Sequence, residues 1–66
     1  MSRFFFDVSE HAHILYDYSG KLLPGLDAAR QFAELLAIDL GLNEDAKAPT
    51  IQVRDISGRL LLAVSA

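Results

Sequence analysis

Cysteine is absent from the 66 residues of this chain. That excludes disulfide staples and thiolate metal sites. A domain of this length buries only about 60% of the surface its unfolded chain exposes, so without a staple it is marginal unless it associates. Long apolar runs are missing too. The longest, Phe4–Phe6 and Leu60–Val64, fall far short of the ~20 residues that cross a bilayer. The start, with Arg3, three phenylalanines and Asp7, lacks the basic region, long apolar core and cleavage site of a secretory leader. The expectation is a cytoplasmic protein with no membrane partner. Positive charge is scarce: six Lys and Arg stand against nine Asp and Glu, for a formal net charge of -3. This argues against an unassisted nucleic-acid binder. What is abundant is apolar surface. Hydrophobic residues make up 52% of the chain and mean hydropathy is +0.23, which excludes disorder as a description of the whole. The length allows a single domain over residues 1–66.

Periodicity divides the chain into β-β-α-β-β. Arg3–Ser9 alternates as a strand, with Phe4, Phe6 and Val8 on one face and Arg3, Phe5 and Asp7 on the other. His13–Tyr18 reads as a second strand, placing Ile14 and Tyr16 on one face and His13, Leu15 and Asp17 on the other. From Gly25 to Gly41, apolar residues at Leu26, Ala29, Phe32, Ala33, Leu36 and Leu40 have helical spacing. Gly25 is the N-cap candidate, and Asp27 sits where the helix dipole favours an anion. Ile38 falls on the otherwise polar outer face and Leu35 flanks the stripe. Asn43–Pro49 is an aperiodic polar loop. Thr50–Ile56 and Arg59–Ser65 are the last two strands.

One short pattern occurs twice. Asp17-Tyr18-Ser19-Gly20-Lys21-Leu22-Leu23 and Asp55-Ile56-Ser57-Gly58-Arg59-Leu60-Leu61 both read Asp-X-Ser-Gly-basic-Leu-Leu. Turn chemistry accounts for it: Asp opens the turn by accepting from its own backbone, and Gly takes the left-handed position. Both glycines are expected at positive φ.

The first and fourth strands are the most apolar, and central strands are the more buried ones. This predicts an α+β two-layer sandwich whose four-stranded mixed sheet has order 2-1-4-3, with one helix on one face. A plain antiparallel sheet is the main alternative. The predicted core is Phe4, Phe6, Val8, Ile14, Tyr16, Ile51, Val53, Leu60, Leu62 and Val64 beneath the helix stripe. A lone helix leaves the other face open. That face is expected to carry Phe5, Leu15, Leu61 and Ala63, rimmed by Arg3 and Arg54, as a self-association surface. The expected partner is therefore a second copy of the chain, with another protein as a further candidate.

Several segments together resemble a known family. Arg3-Phe4-Phe5-Phe6, the Asp17–Gly20 turn, Leu23-Pro24 followed by Leu26-Asp27-Ala28-Ala29, and Val53-Arg54-Asp55 with Gly58-Arg59 look like the short bacterial proteins of domain of unknown function 6894. The resemblance spans nearly the whole chain. It implies the element order and a bacterial cytoplasmic origin, and brings no reaction, cofactor or partner with it. The chain departs from the family pattern at Ser9-Glu10-His11-Ala12, where an Asn-Gly or Asp-Gly turn is usual, and at Gly25, where an acidic residue is usual. A looser similarity, in the hairpin, Leu23-Pro24-Gly25-Leu26 and the Ala-rich helix, is to antitoxins of the HicB type. It implies a nucleic-acid-associated module as an alternative.

Other chemistry is thinly represented. His11-Ala12-His13 places two imidazoles on one side of a strand, so metal binding through His11 and His13 is a second alternative, although spacing fixes no third ligand. No nucleophile, base and orienting group are arranged by spacing, and so small a fold has little volume for a deep pocket. The expectation is a non-catalytic interaction module without a cofactor.

Overall fold

The computed structural model describes residues 1–10, 13–42 and 49–65. Along the chain come β1 (Ser2–Glu10), β2 (His13–Leu15), β3 (Lys21–Leu23), α1 (Leu26–Leu42), β4 (Thr50–Arg54) and β5 (Leu60–Ser65). The helix begins one residue after Gly25, whose carbonyl accepts from the Ala29 N–H at 3.1 Å. Gly25 thus stands at the N-cap, and Asp27 lies in the first turn.

The fold is α+β, with one helix and one antiparallel sheet of five strands among the described residues. The order along the sheet is β2-β1-β4-β5, and β3 pairs with β1 as well. This corrects the expected mixed sheet of order 2-1-4-3. The first strand neighbours the expected third strand, now β4, and not the expected fourth, now β5, and every pairing is antiparallel. The apolar last strand stands at the edge, and the more polar β4 lies in the middle. The reason lies on the side of β4 away from the helix, where Arg54 is satisfied by a buried partner described below. The polar alternation of β4 therefore does not mark an exposed strand.

The second expected strand is also interrupted. β2 pairs Val8 with Leu15, whereas β3 pairs Phe4 with Lys21. Residues 5–7 of β1 therefore face the longer stretch 16–20, which cannot stay in ladder register and folds outward as a turn. The gap in the ladder is closed by a side chain: the Phe6 N–H donates to Asp17 Oδ2 at 3.1 Å.

The core lies between the sheet and α1. Phe4, Phe6, Ile51 and Val53 from β1 and β4 are buried with Ala29, Ala33 and Ala37. The three alanines follow the i, i+4 line of the helix, and their small side chains let α1 approach β4 closely. Phe32 packs edge-to-face on Phe6, with ring centroids 4.8 Å apart, and Lys21 Nζ sits 5.2 Å from the Phe32 centroid. Val8, Leu36, Leu40, Leu62 and Val64 border this cluster and are partly buried. Ile14, Tyr16, Leu26 and Leu60, expected inside, are exposed.

Candidate functional site: the open sheet face

On β1 the residues facing away from the helix are Arg3, Phe5 and Asp7, because Phe4 and Phe6 enter the core. Phe5 pairs with Arg54 and Asp7 with Gln52 across the β1–β4 ladder, so these four share the open face. Asp7 is only 1% exposed. A carboxylate so placed must be paired and hydrogen-bonded. Arg54 supplies both needs: Nε donates to Asp7 Oδ2 at 2.5 Å and a terminal nitrogen donates to Oδ1 at 3.1 Å. The Asp17 N–H also donates to Asp7 Oδ1 at 2.9 Å. Burial pushes the Asp7 carboxyl up, but the bond and charge of Arg54 and the Asp17 N–H outweigh it, and the group ends below the usual aspartate value.

The same arginine reaches the first Asp-X-Ser-Gly turn. Its terminal nitrogen donates to the Asp17 carbonyl at 3.3 Å. Asp17 Oδ1 accepts from the N–H groups of Ser19 and Gly20, both at 3.0 Å. Burial raises the Asp17 carboxyl; the N–H groups of Gly20, Phe6 and Ser19, with the nearby Arg54 charge, bring it below its usual value. Gly20 has φ +75°, and a Cβ there would lie 2.8 Å from Arg3 Cγ and 2.9 Å from Phe5 Cε2. The turn thus lies directly on the open face, and Arg3 secures it by donating to the Ser19 carbonyl at 2.8 Å.

The second copy of the pattern joins β4 to β5. Asp55 Oδ1 accepts from the Ser57 N–H at 3.0 Å, the Ser57 hydroxyl at 2.6 Å and the Arg59 N–H at 2.9 Å. The Ser57 hydroxyl leads the groups that hold this exposed carboxyl below its usual value. Gly58 has φ +91°, as its left-handed position requires.

Between the two turns lies a shallow cleft of about 410 Å³, lined by Phe5, Tyr16, Asp17, Tyr18, Arg54, Ile56, Ser57 and Gly58. Its floor is Phe5 with the Arg54 guanidinium 5.3 Å from the ring centroid. The charge of Arg54 is met by Asp7, and the second carboxylate, Asp17, is held by the backbone N–H groups of Phe6, Ser19 and Gly20. Each turn contributes its second residue to the rim: Tyr18 is 88% exposed and Ile56 78%. The arrangement offers aromatic and aliphatic surface around charges already engaged in internal hydrogen bonds, suited to an apolar side chain of a protein partner.

The expected interface residues divide. Phe5, Arg3 and Arg54 do lie together, and Ala63 pairs with Gln52 on the same face. Leu15 does not join them: it pairs with Val8, so it lies on the helix side of the sheet, 70% exposed. Leu61 is also elsewhere. The β4–β5 ladder pairs Val53 with Leu62 and Arg54 with Leu60, so Leu61 is the extra residue of a β-bulge, and it packs against the core. Tyr16, Tyr18 and Ile56 occupy the place foreseen for the two leucines. Sequence reasoning gave Asp7 no role; an aspartate inside the strand Phe4-Phe5-Phe6-Asp7-Val8 was the available signal, since Asp is disfavoured there. His11 lies outside the described residues, and His13 is exposed on β2. No helix among the described residues is long and apolar enough to cross a membrane.

Fold and cleft define a small α+β unit, with one helix among the described residues laid on an antiparallel sheet and two matched turns at one end of the open face. The chain belongs to the family described as Domain of unknown function (DUF6894), whose model matches residues 3–66. No curated protein and no solved structure matches it.

Proposed function

We propose that this chain is a non-catalytic, self-associating interaction module of the bacterial cytoplasm, and that the rim of the open-face cleft is a contact surface between copies. The observation that supports this reading is the pair Tyr18 and Ile56, held out to solvent by two hydrogen-bonded turns of one sequence pattern. Neither side chain contributes much to the core, and clustered exposed apolar groups mark interfaces. Aromatics are also enriched where interfaces bury most surface. A nucleic-acid reading would use Phe5, Arg3 and Arg54. Both arginines are already engaged, Arg54 by Asp7 and Arg3 by the Ser19 carbonyl, which favours a protein partner over phosphate.

The test is solution mass by light scattering, for wild type and a Tyr18→Glu/Ile56→Glu double variant at equal concentration. The expected result is an associated wild type and a folded variant of lower mass. A wild type monomeric up to millimolar concentration, or a variant of unchanged mass, overturns the reading. Salt-dependent retention of an oligonucleotide by a monomeric wild type would move the protein to the nucleic-acid class.

A further inference from the structure

The two edges of the sheet are built differently. Along one edge of β1, β2 and β3 are three residues each, and the turn over residues 16–20 separates them. That edge offers no continuous ladder, and Lys21 lies on it. Short strands, interruptions and lysines are the ordinary protections of a sheet edge. The opposite edge is β5, Leu60–Ser65, with six residues, no charge and no proline. Its only irregularity is the bulge at Leu61, leaving Leu62–Ser65 paired one-to-one with β4. Among the described residues no strand pairs with its outer side.

The core also runs out at this edge. Ile51 and Val53 on β4 are fully buried, but Leu62 and Val64 beside them are only partly covered. A further strand would complete their burial.

We infer that β5 pairs antiparallel with β5 of a second copy, making one continuous sheet with both helices on the same side. The occupant follows from charge and symmetry. A two-fold axis perpendicular to the sheet keeps each face on its own side, so a residue can oppose only residues of its own face. Centring the axis at Ala63 uses the regular stretch. It sets Leu62 against Val64 of the other copy on the helix side, twice, and Ala63 against its own copy on the open side. No like charges are opposed within Leu60–Ser65. β1, β3 and β4 each carry charged residues; β5 is the long strand that can meet its own copy without repulsion. This contact is independent of the cleft rim.

Position 63 supplies the test, because the native chain has no thiol. In an antiparallel self-pair the two Cα atoms are about 4.5–5.5 Å apart, within the range a disulfide spans. Ala63→Cys should therefore cross-link under mild oxidation to a species of twice the chain mass, at least tenfold faster than Gln31→Cys on the exposed helix face. It should do so equally in the Tyr18→Glu/Ile56→Glu background, which separates this contact from the cleft. As a second measurement, Ala63→Lys and Ala63→Glu should each lose the contact, and an equimolar mixture should restore it, since opposite charges then meet on the axis. Cross-linking of Ala63→Cys no faster than Gln31→Cys overturns the inference and leaves the edge to a different chain. So does failure of the Lys and Glu variants to associate when mixed. Cross-linking lost only in the cleft double variant also overturns it, because position 63 would then be reporting the cleft contact.

Discussion

Arg54 and Asp7, 47 residues apart in sequence, share two hydrogen bonds on the open face of the sheet. They are diagonal neighbours in the β1–β4 ladder, where Phe5 opposes Arg54 and Gln52 opposes Asp7. The pair is lopsided: the arginine side chain is 27% exposed, and the aspartate is enclosed. Removing Arg54 therefore strands a buried anion, whereas removing Asp7 leaves a cation that water can reach.

Arg54→Ala should destabilise the domain by about 3 kcal/mol, the low end for breaking a buried pair because one partner is partly solvated. That is a large share of what a domain this small has available. Asp7→Asn should cost less, and the double variant should fall well short of the sum of the two. Urea denaturation of the three variants measures this; additive effects would show that the two side chains do not depend on each other.

Acid should weaken the fold through Asp7 and Asp17. Both carboxyls lie below their usual value in the folded chain. A lowered folded pKa contributes stability that is complete above the unfolded value of about 4 and disappears as pH falls through the folded value. The melting temperature should change little from these groups between pH 7 and pH 5 and drop below pH 4. Asp7→Asn should lower it at pH 7 and make the acid drop shallower. An acid slope identical to wild type would remove Asp7 from the account.

The two turn glycines separate strain from crowding. Gly58→Ala meets nothing within 4 Å and bears only the strain of positive φ, about 1–2 kcal/mol. Gly20→Ala bears that strain and also presses on Arg3 and Phe5, so it should be the more destabilising by at least about 1 kcal/mol. Thermal unfolding of both variants checks the order, and equal losses would mean that the first turn does not rest on β1.

Phe32→Ala removes the ring that packs on Phe6 and beneath Lys21. The expected loss is about 3 kcal/mol, the low end for a buried phenylalanine because Phe32 is only partly covered. Phe32→Leu should recover more than half of it. A Phe32→Ala variant with an unchanged melting temperature would contradict the helix register.

The helix, both Asp-X-Ser-Gly turns and the inward face of β1 were legible in the sequence, because each depends on spacing within a few residues. Strand order was not. The apolar run Leu60–Val64 suggested a central strand and the alternation of Gln52 and Arg54 an outer one; the structure reverses them. Local pattern reports how apolar a strand is, and whether a polar residue has found a partner 47 residues away lies beyond it. Facing failed for a related reason. The one extra residue of the bulge at Leu61 switches the face of the side chains beyond it, and the register that sets Leu15 opposite Val8 is a property of the pairing; neither leaves a mark in the alternation. The cleft inherits this limit. Its floor residues Phe5 and Arg54 could be named, while Tyr18 and Ile56 looked like turn positions.

The position of β1 has a consequence for how the protein is made. It pairs with β2, β3 and β4, and β5 joins through β4. The pairing of Phe5 with Arg54 spans most of the chain. A nascent polypeptide leaving the ribosome has its first strand, its short edge strands and its helix before Ile51 and Val53 arrive to meet Phe4 and Phe6. Until then the phenylalanines have no sheet neighbour on one side. Non-local closure of this kind slows folding and leaves apolar surface open meanwhile. Synthesis of residues 50–65 is the step that releases this chain from exposure, so pausing translation before codon 50 should leave it protease-sensitive, and pausing after residue 65 has cleared the exit tunnel should not.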